Sequence, residues 1–312
     1  MPLTNQQKID IAQDINKILE RYGIYYKGAL LNVDPNDINE LIPDYVFESK
    51  TFKKYFTSLS AAKMDSIYAY KNFPYVLQML TNDELHFTSL KLNEQNDSSE
   101  YLETALRCMY IQPFIADDYV GPSAGVNGNQ CYFKNANGTP LSIEEQRQKT
   151  YIYCLTSTYN LNRHWNEYAV DETGVCIEYS FEMPHPNLHT WLSYGRVHYD
   201  EGYDCDFIKE INLMMIRKYG KTFTPVGIAK FATMVKREKY RWEDELRIVL
   251  LGKNAEHFSF QEDPNAPGVV KIKNGTLFQW KIKRVIAGNK IDPSNLSQLQ
   301  SVCNYRNIPL IK

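Results

Sequence analysis

The stretch Thr150 to Ser180, TYIYCLTSTYNLNRHWNEYAVDETGVCIEYS, constrains this chain more than any other. Two apolar runs within it, Tyr151–Thr158 and Gly174–Ser180, read as strands. Between them lies a short polar and aromatic segment carrying His164, Trp165, Glu167 and Tyr168. A strand that ends in the hydroxyls of Thr156, Ser157 and Thr158, followed by an aromatic crossover and a second strand, builds one wall of a pocket. Cys154 and Cys176 fall inside the strand runs, where a thiol behaves as a small buried hydrophobe. His164, a lone histidine, reads first as a hydrogen-bonded framework residue.

The rest of the chain supplies elements of both kinds, and the expected class is α+β, with a mixed or antiparallel sheet, flanking helices and a helical N-terminal region. Over residues 5–22 the apolar set Ile9, Ile11, Ala12, Ile15, Ile18 and Leu19 recurs at helical spacing, and Gly23 is a plausible stop. Asp34-Pro35-Asn36 reads as a turn before a short helix at Asp37–Leu41. Residues 1–64 are taken as a helical region that packs on the main body or a protein partner, and 65–312 as the α+β domain. In that domain strands are expected at Ser66–Lys71, Leu85–Thr88 and Tyr194–Tyr199, and helices at Phe73–Leu80, Phe207–Lys218 and Pro225–Arg237. The end of the chain adds strands at Leu277–Trp280 and Ile282–Ala287, a turn at Gly288-Asn289, a helix at Pro293–Cys303 and a short strand at Ile308–Ile311. A polar loop at Leu90–Glu100 leads into a helix at Ser99–Tyr110, the Gly- and Asn-rich run Ile115–Gly138 marks a long loop or lid, and Ser142–Glu145 caps a short helix.

Composition excludes several classes. A formal charge of −2 argues against nucleic acid or an anionic membrane as the partner at whole-chain level. No apolar run approaches the ~20 residues that span a bilayer. The six cysteines form no C-x-x-C pair and the N-terminus lacks a signal peptide's apolar core, so a cytoplasmic protein is expected. The Gly-rich runs match neither a phosphate-cradling loop nor a dinucleotide fingerprint, and no metal is expected.

The second informative stretch is Glu243-Asp244-Glu245-Leu246-Arg247-Ile248-Val249-Leu250-Leu251. Strand alternation puts Leu246, Ile248 and Leu250 on one face and Glu243, Glu245 and Arg247 on the other. Such a group is either a site with two carboxylates or a surface ion-pair ladder.

An ordered set of motifs now resembles a known family. Tyr68, Asn93–Glu100, Cys154-Leu155-Thr156-Ser157, Trp165-Asn166-Glu167-Tyr168-Ala169, Gly174-Val175-Cys176-Ile177-Glu178, Val197-His198-Tyr199 and Lys239 through Arg247 together resemble the bacterial DUF2971 family, a domain of unknown function, over about residues 65–290. A weaker likeness, in order of parts, is to ADP-ribosyltransferases: Tyr70-Lys71 on an early strand, Thr156-Ser157-Thr158 on a middle strand and Glu243-x-Glu245 on a late one.

That second likeness implies an enzyme with NAD as substrate and an unidentified acceptor. Glu245 would hold the ribose hydroxyl and stabilise oxocarbenium-like charge, Glu243 would orient or deprotonate the acceptor, and Ser157 would position the nicotinamide side. Tyr70, Lys71, Trp165, Tyr168, His164 and Arg247 would complete the nucleotide-binding surface, with Trp165 or Tyr168 stacked on a flat ring. The competing expectation is a non-catalytic ligand-sensing or protein-interaction module of a bacterial stress or defence system. Both stay open at the level of sequence.

Overall fold

The structure, a computed structural model, describes residues 3–26, 28–42, 46–49, 63–92, 148–184, 192–199, 206–220, 222–223, 233–251 and 262–312. The polar loop expected beyond Leu92, the helix at Ser99–Tyr110, the loop at Ile115–Gly138, the cap at Ser142–Glu145 and most of the helix at Pro225–Arg237 lie outside these residues. The chain divides into two compact units drawn from interleaved segments. Met1–Ser60, Asp97–Gln146 and His198–Arg237 make one, and Ala61–Asn96, Arg147–Val197 and Glu238–Lys312 make the other.

The first unit is built on the helix Asn5–Tyr22, which starts at a capping box formed by Thr4 and Gln7 and stops at Gly23, whose φ of 62° is the left-handed cap that glycine adopts without strain. Its buried stripe is Ile11, Ala12, Ile15, Ile18 and Leu19. The helix Asp206–Tyr219 lies beside it, joined by ion pairs from Lys218 to Asp14 and from Arg21 to Glu210. The helix expected at Asp37–Leu41 is instead the strand Ile38–Ile42, antiparallel to Val46–Ser49. Asp34 and Pro35 do start a turn, but it is a single 3-10 turn that ends by Ile38, and pairing with a second strand then decides the backbone. Val235–Lys236, expected in a helix, pairs in parallel with His198–Tyr199.

The second unit holds a large mixed, mostly antiparallel sheet, as an α+β class requires. Its strands are β1 (Asp65–Lys71), β2 (Glu84–Ser89), β3 (Thr150–Thr156), β4 (Val175–Glu182), β5 (Leu192–Arg196), β6 (Glu245–Leu251), β7 (Glu262–Asp263), β8 (Ala266–Lys273), β9 (Gln279–Ala287) and β10 (Leu310–Ile311). Its helices are α1 (Phe73–Asn82), α2 (Asn162–Tyr168) and α3 (Pro293–Tyr305). Two expectations are corrected here. The run Tyr194–Tyr199 is broken at Val197, so that β5 ends at Arg196 and His198–Tyr199 serves the other unit. The two late strands are one, β9, interrupted by a register shift between Ile282 and Arg284. The strand β8 is not among the expected strands; Pro267 and Gly268 at its start weaken the strand signal.

The sheet is forked at β3. One edge of β3 pairs with β6 along its whole length, from Thr156 opposite Glu245 to Thr150 opposite Leu251. The other edge pairs with β2 at Tyr151 and Ile152 and with β1 only at Thr156. Between those contacts Tyr153, Cys154 and Leu155 have no strand partner on that edge among the described residues. The helix α1 links the two branches and buries Phe73, Val76, Met79 and Leu80.

Alternation then gives the sheet two unlike faces. Tyr151, Tyr153 and Leu155 of β3, Leu246, Ile248 and Leu250 of β6 and Ile177 and Tyr179 of β4 join the apolar core with α1 and α3. The opposite face carries Cys154 and Thr156 beside Arg247 and Glu245, Tyr68 and Tyr70 of β1 beside Glu178 and Cys176 of β4, and Arg284 of β9.

Candidate functional site

The polar face near the tip of β3 collects most of the chain's chemistry. The crossover after β3 folds into α2, whose buried residues are His164 and Trp165. Its far end is held by a tight turn in which Val170, Asp171 and Glu172 all take positive φ, of 49°, 52° and 67°. A β-branched residue in that region is strained, and the strain is offset by hydrogen bonds from Asp171 and Glu172 back to the carbonyls of Asn166 and Trp165. Gly174 follows because a Cβ there would lie 2.3 Å from the carbonyl oxygen of Lys71.

Held this way, α2 lays its rings on β1. The imidazole of His164 stacks on Tyr70, with ring centres 5.1 Å apart and planes 20° from parallel, and Trp165 meets Tyr70 edge-on. From the short 3-10 turn Glu238–Glu243 comes Trp242, which stacks on Tyr168 and approaches His164 at 5.4 Å. The guanidinium of Arg163 covers the outer face of Trp242 at 3.8 Å. Trp165 donates its indole N–H to Asn160, whose own backbone N–H donates to the Tyr70 hydroxyl.

Two atoms in this cluster stand out. His164 is 2% exposed, and its Nε2 lies 3.0 Å from the backbone oxygen of Glu243. A carbonyl only accepts, so Nε2 carries the proton. Burial holds the imidazole below the usual histidine range against the pull of that carbonyl, so the ring is neutral and Nδ1 presents a lone pair. That Nδ1 is buried without a hydrogen-bond partner, and so is the indole Nε1–H of Trp242. One is an acceptor and the other a donor; leaving each unmade costs about 1–3 kcal/mol.

The acidic stretch is rearranged relative to expectation. Glu243 does not share a strand face with Glu245 and Arg247, because Asp244 between them has a φ of 43° and turns the chain before β6 begins. Glu243 is buried and accepts a hydrogen bond from the Tyr168 hydroxyl at 2.8 Å. Asp244 is the acid that meets Ser157. It accepts from the hydroxyls of Ser157 and Thr158 and pairs with Arg196. Burial opposes its charge, but these hydroxyls and the guanidinium outweigh it and hold the carboxyl below the usual range.

Glu245 belongs to a neighbouring group. Arg247 donates to it with Nε at 2.8 Å and Nη2 at 3.0 Å, a bidentate pair in which both residues are buried. Beside this pair, at the fork, are Cys154 and Lys71. Burial, and then the charge of Glu245, push the Cys154 thiol far up, so it stays protonated. Lys71 leaves the aromatic cluster that holds Tyr70 and sends its ammonium to within 4.6 Å of the centre of the Tyr153 ring.

Of the residues singled out in the sequence, Tyr70, His164, Trp165, Tyr168 and Glu243 thus come together in one cluster. Ser157 borders it through Asp244, while Lys71, Glu245 and Arg247 form the second group one strand away. Sequence reasoning missed Trp242, Asp244 and Asn160. The adjacency Trp242-Glu243-Asp244 was the available signal, obscured by treating the whole stretch as one strand. No group of three or more His, Cys, Asp or Glu among the described residues could hold a metal ion. No helix among them is long and apolar enough to cross a membrane. Comparison with protein-family models, with curated proteins and with solved structures finds no match.

Proposed function

We propose that the second unit recognises a planar nitrogen heteroaromatic group of the kind nucleotides carry, in the cluster of Tyr70, His164, Trp165, Tyr168 and Trp242, with NAD as the first ligand to test. The observation that carries this reading is the pair of buried, unpartnered atoms, the His164 Nδ1 lone pair and the Trp242 Nε1–H. A nicotinamide carboxamide, or the amino edge of adenine, offers one donor beside one acceptor and answers both. The flanking rings supply flat apolar surface, and Arg163, Arg196 and Arg284, each paired with a carboxylate, lie near it and could exchange that partner for a phosphate. Under this reading the chain is a ligand-sensing module.

Titration calorimetry with NAD, nicotinamide and adenosine tests it. Replacing His164 by Phe keeps the stacked ring and removes the lone pair, and it is expected to weaken binding about 5- to 150-fold, the loss of one buried hydrogen bond. Trp242→Phe is expected to act in the same direction. No heat and no thermal shift with any of the three ligands would remove the reading.

A second reading, ADP-ribosyl transfer, keeps its motivation in the placement of Thr156 opposite Glu245 at the tip of β3, next to the Ser157–Asp244 contact. It assigns Glu245 to the ribose hydroxyl, Ser157 to the nicotinamide side and Glu243 to the acceptor, and it shares the resemblance to DUF2971 as its setting. Mass-spectrometric detection of ADP-ribose on protein or nucleic acid, present with the wild type and absent with Glu245→Gln of wild-type stability, separates transfer from sensing.

A further inference from the structure

We propose that Lys71 is a nucleophilic amine, placed in the fork of the sheet to form an imine with an aldehyde. The argument starts from the break in the sheet. Because β1 touches β3 only at Thr156 and β2 touches it only at Tyr151 and Ile152, the last residue of β1 enters a notch beside Tyr153, Cys154 and Leu155. Consecutive residues of a strand face opposite sides, and the ammonium of Lys71 is met by the ring of Tyr153 from one face and by Cys154 and Glu245 from the other. His86 of β2, itself bonded to Glu84 at 2.8 Å, feels its charge across the notch.

None of these neighbours is a counter-ion for Lys71. Cys154 keeps its proton, and Glu245 is engaged in its bidentate pair with Arg247. Among the described residues the Lys71 side-chain nitrogen makes no hydrogen bond and no ion pair, and the residue is half-buried. Burial outweighs the pull of Cys154 and Glu245 and holds the Lys71 pKa below the usual lysine range. The neutral amine, a larger fraction of Lys71 than of a surface lysine at the same pH, is a nucleophile without any further base. The step is a condensation: the nitrogen lone pair adds to the carbonyl carbon, both amine protons leave with the carbonyl oxygen as water, and a C=N bond replaces the C=O bond. The notch is separate from the His164 cluster, so this assignment stands or falls apart from the nucleotide reading.

The experiment is limited reductive alkylation of the full-length protein with propionaldehyde and sodium cyanoborohydride at a series of pH values, with the modified lysines mapped by peptide mass spectrometry. Lys71 is expected to be alkylated ahead of the surface lysines at pH 7, with a rate that levels off while theirs keep rising about tenfold per pH unit. Lys71→Arg, which keeps a long polar side chain and removes the amine nucleophile, abolishes the fast site and leaves the slower ones as they were. Protection of Lys71 from the reagent in the folded protein, or a pH profile parallel to that of the surface lysines, overturns the proposal.

Discussion

Whether Glu245 is framework or catalyst turns on its bond to Arg247, and Arg247→Met measures that bond. Glu245 is 4% exposed and Arg247 2%, so removing the guanidinium strands a carboxylate away from water with two charged hydrogen bonds lost. Breaking one half of a buried pair costs about 3–5 kcal/mol, a large part of the 5–15 kcal/mol that typically holds a domain folded. With a urea slope of about 3 kcal/mol/M, the unfolding midpoint followed by tryptophan fluorescence falls by about 1 M or more. The double variant Glu245→Leu with Arg247→Met removes both charges and is expected to recover most of that loss, because two apolar residues of similar size need no partner. A cost below about 1 kcal/mol for Arg247→Met, or a double variant as unstable as the sum of the single ones, refutes the reasoning. Glu245→Gln gives the functional counterpart: it is expected to lose stability together with any activity, and activity lost at unchanged stability would mark the carboxylate as catalytic.

Other consequences are as direct. Val170 sits at a φ of 49°, so Val170→Gly is expected to raise stability by about 1 kcal/mol in thermal or urea unfolding. Gly174→Ala drives a methyl group into the Lys71 carbonyl and is expected to cost about 1–3 kcal/mol, read by the same unfolding curves. His164 and His86 are both held below the usual histidine range by burial, so the unfolded chain binds their protons more readily. The stability they contribute is complete above about pH 6.5 and is lost as the pH falls towards their folded values, and His164→Phe flattens that dependence in urea midpoints measured from pH 5 to 8.

Local pattern was legible in the sequence wherever one element decides its own conformation. The helix Asn5–Tyr22 follows from its apolar spacing and from Gly23, β3 and β4 follow from their apolar runs, and α1 follows from Pro74. The apolar face of β6 was legible too, since Leu246, Ile248 and Leu250 all reach the core. Its polar face was not, because the left-handed turn at Asp244 takes Glu243 out of phase, and aspartate's tolerance of that conformation leaves no mark in a hydropathy pattern. Long-range pairing was the other hidden layer. Nothing in β1 or β2 says that both meet the same edge of β3, and nothing in the run around Val197 says that its two halves serve different units. For the site, the sequence named the rings that α2 carries, but it missed Trp242 and Asp244, which a short 3-10 turn delivers from about 80 residues away.

The partnerless atoms of the aromatic cluster admit the most direct measurement, nitrogen-15 correlation spectra of the His164 imidazole and the Trp242 indole recorded with and without nicotinamide, NAD and adenosine. In the free protein His164 is expected to show a protonated Nε2 and a bare Nδ1. A ligand that fits moves the Nδ1 resonance and the Trp242 indole proton together, as one hydrogen bond forms at each. A doubly protonated His164 in the free protein at pH 7, or both resonances unmoved at saturating concentrations of all three compounds, contradicts the account.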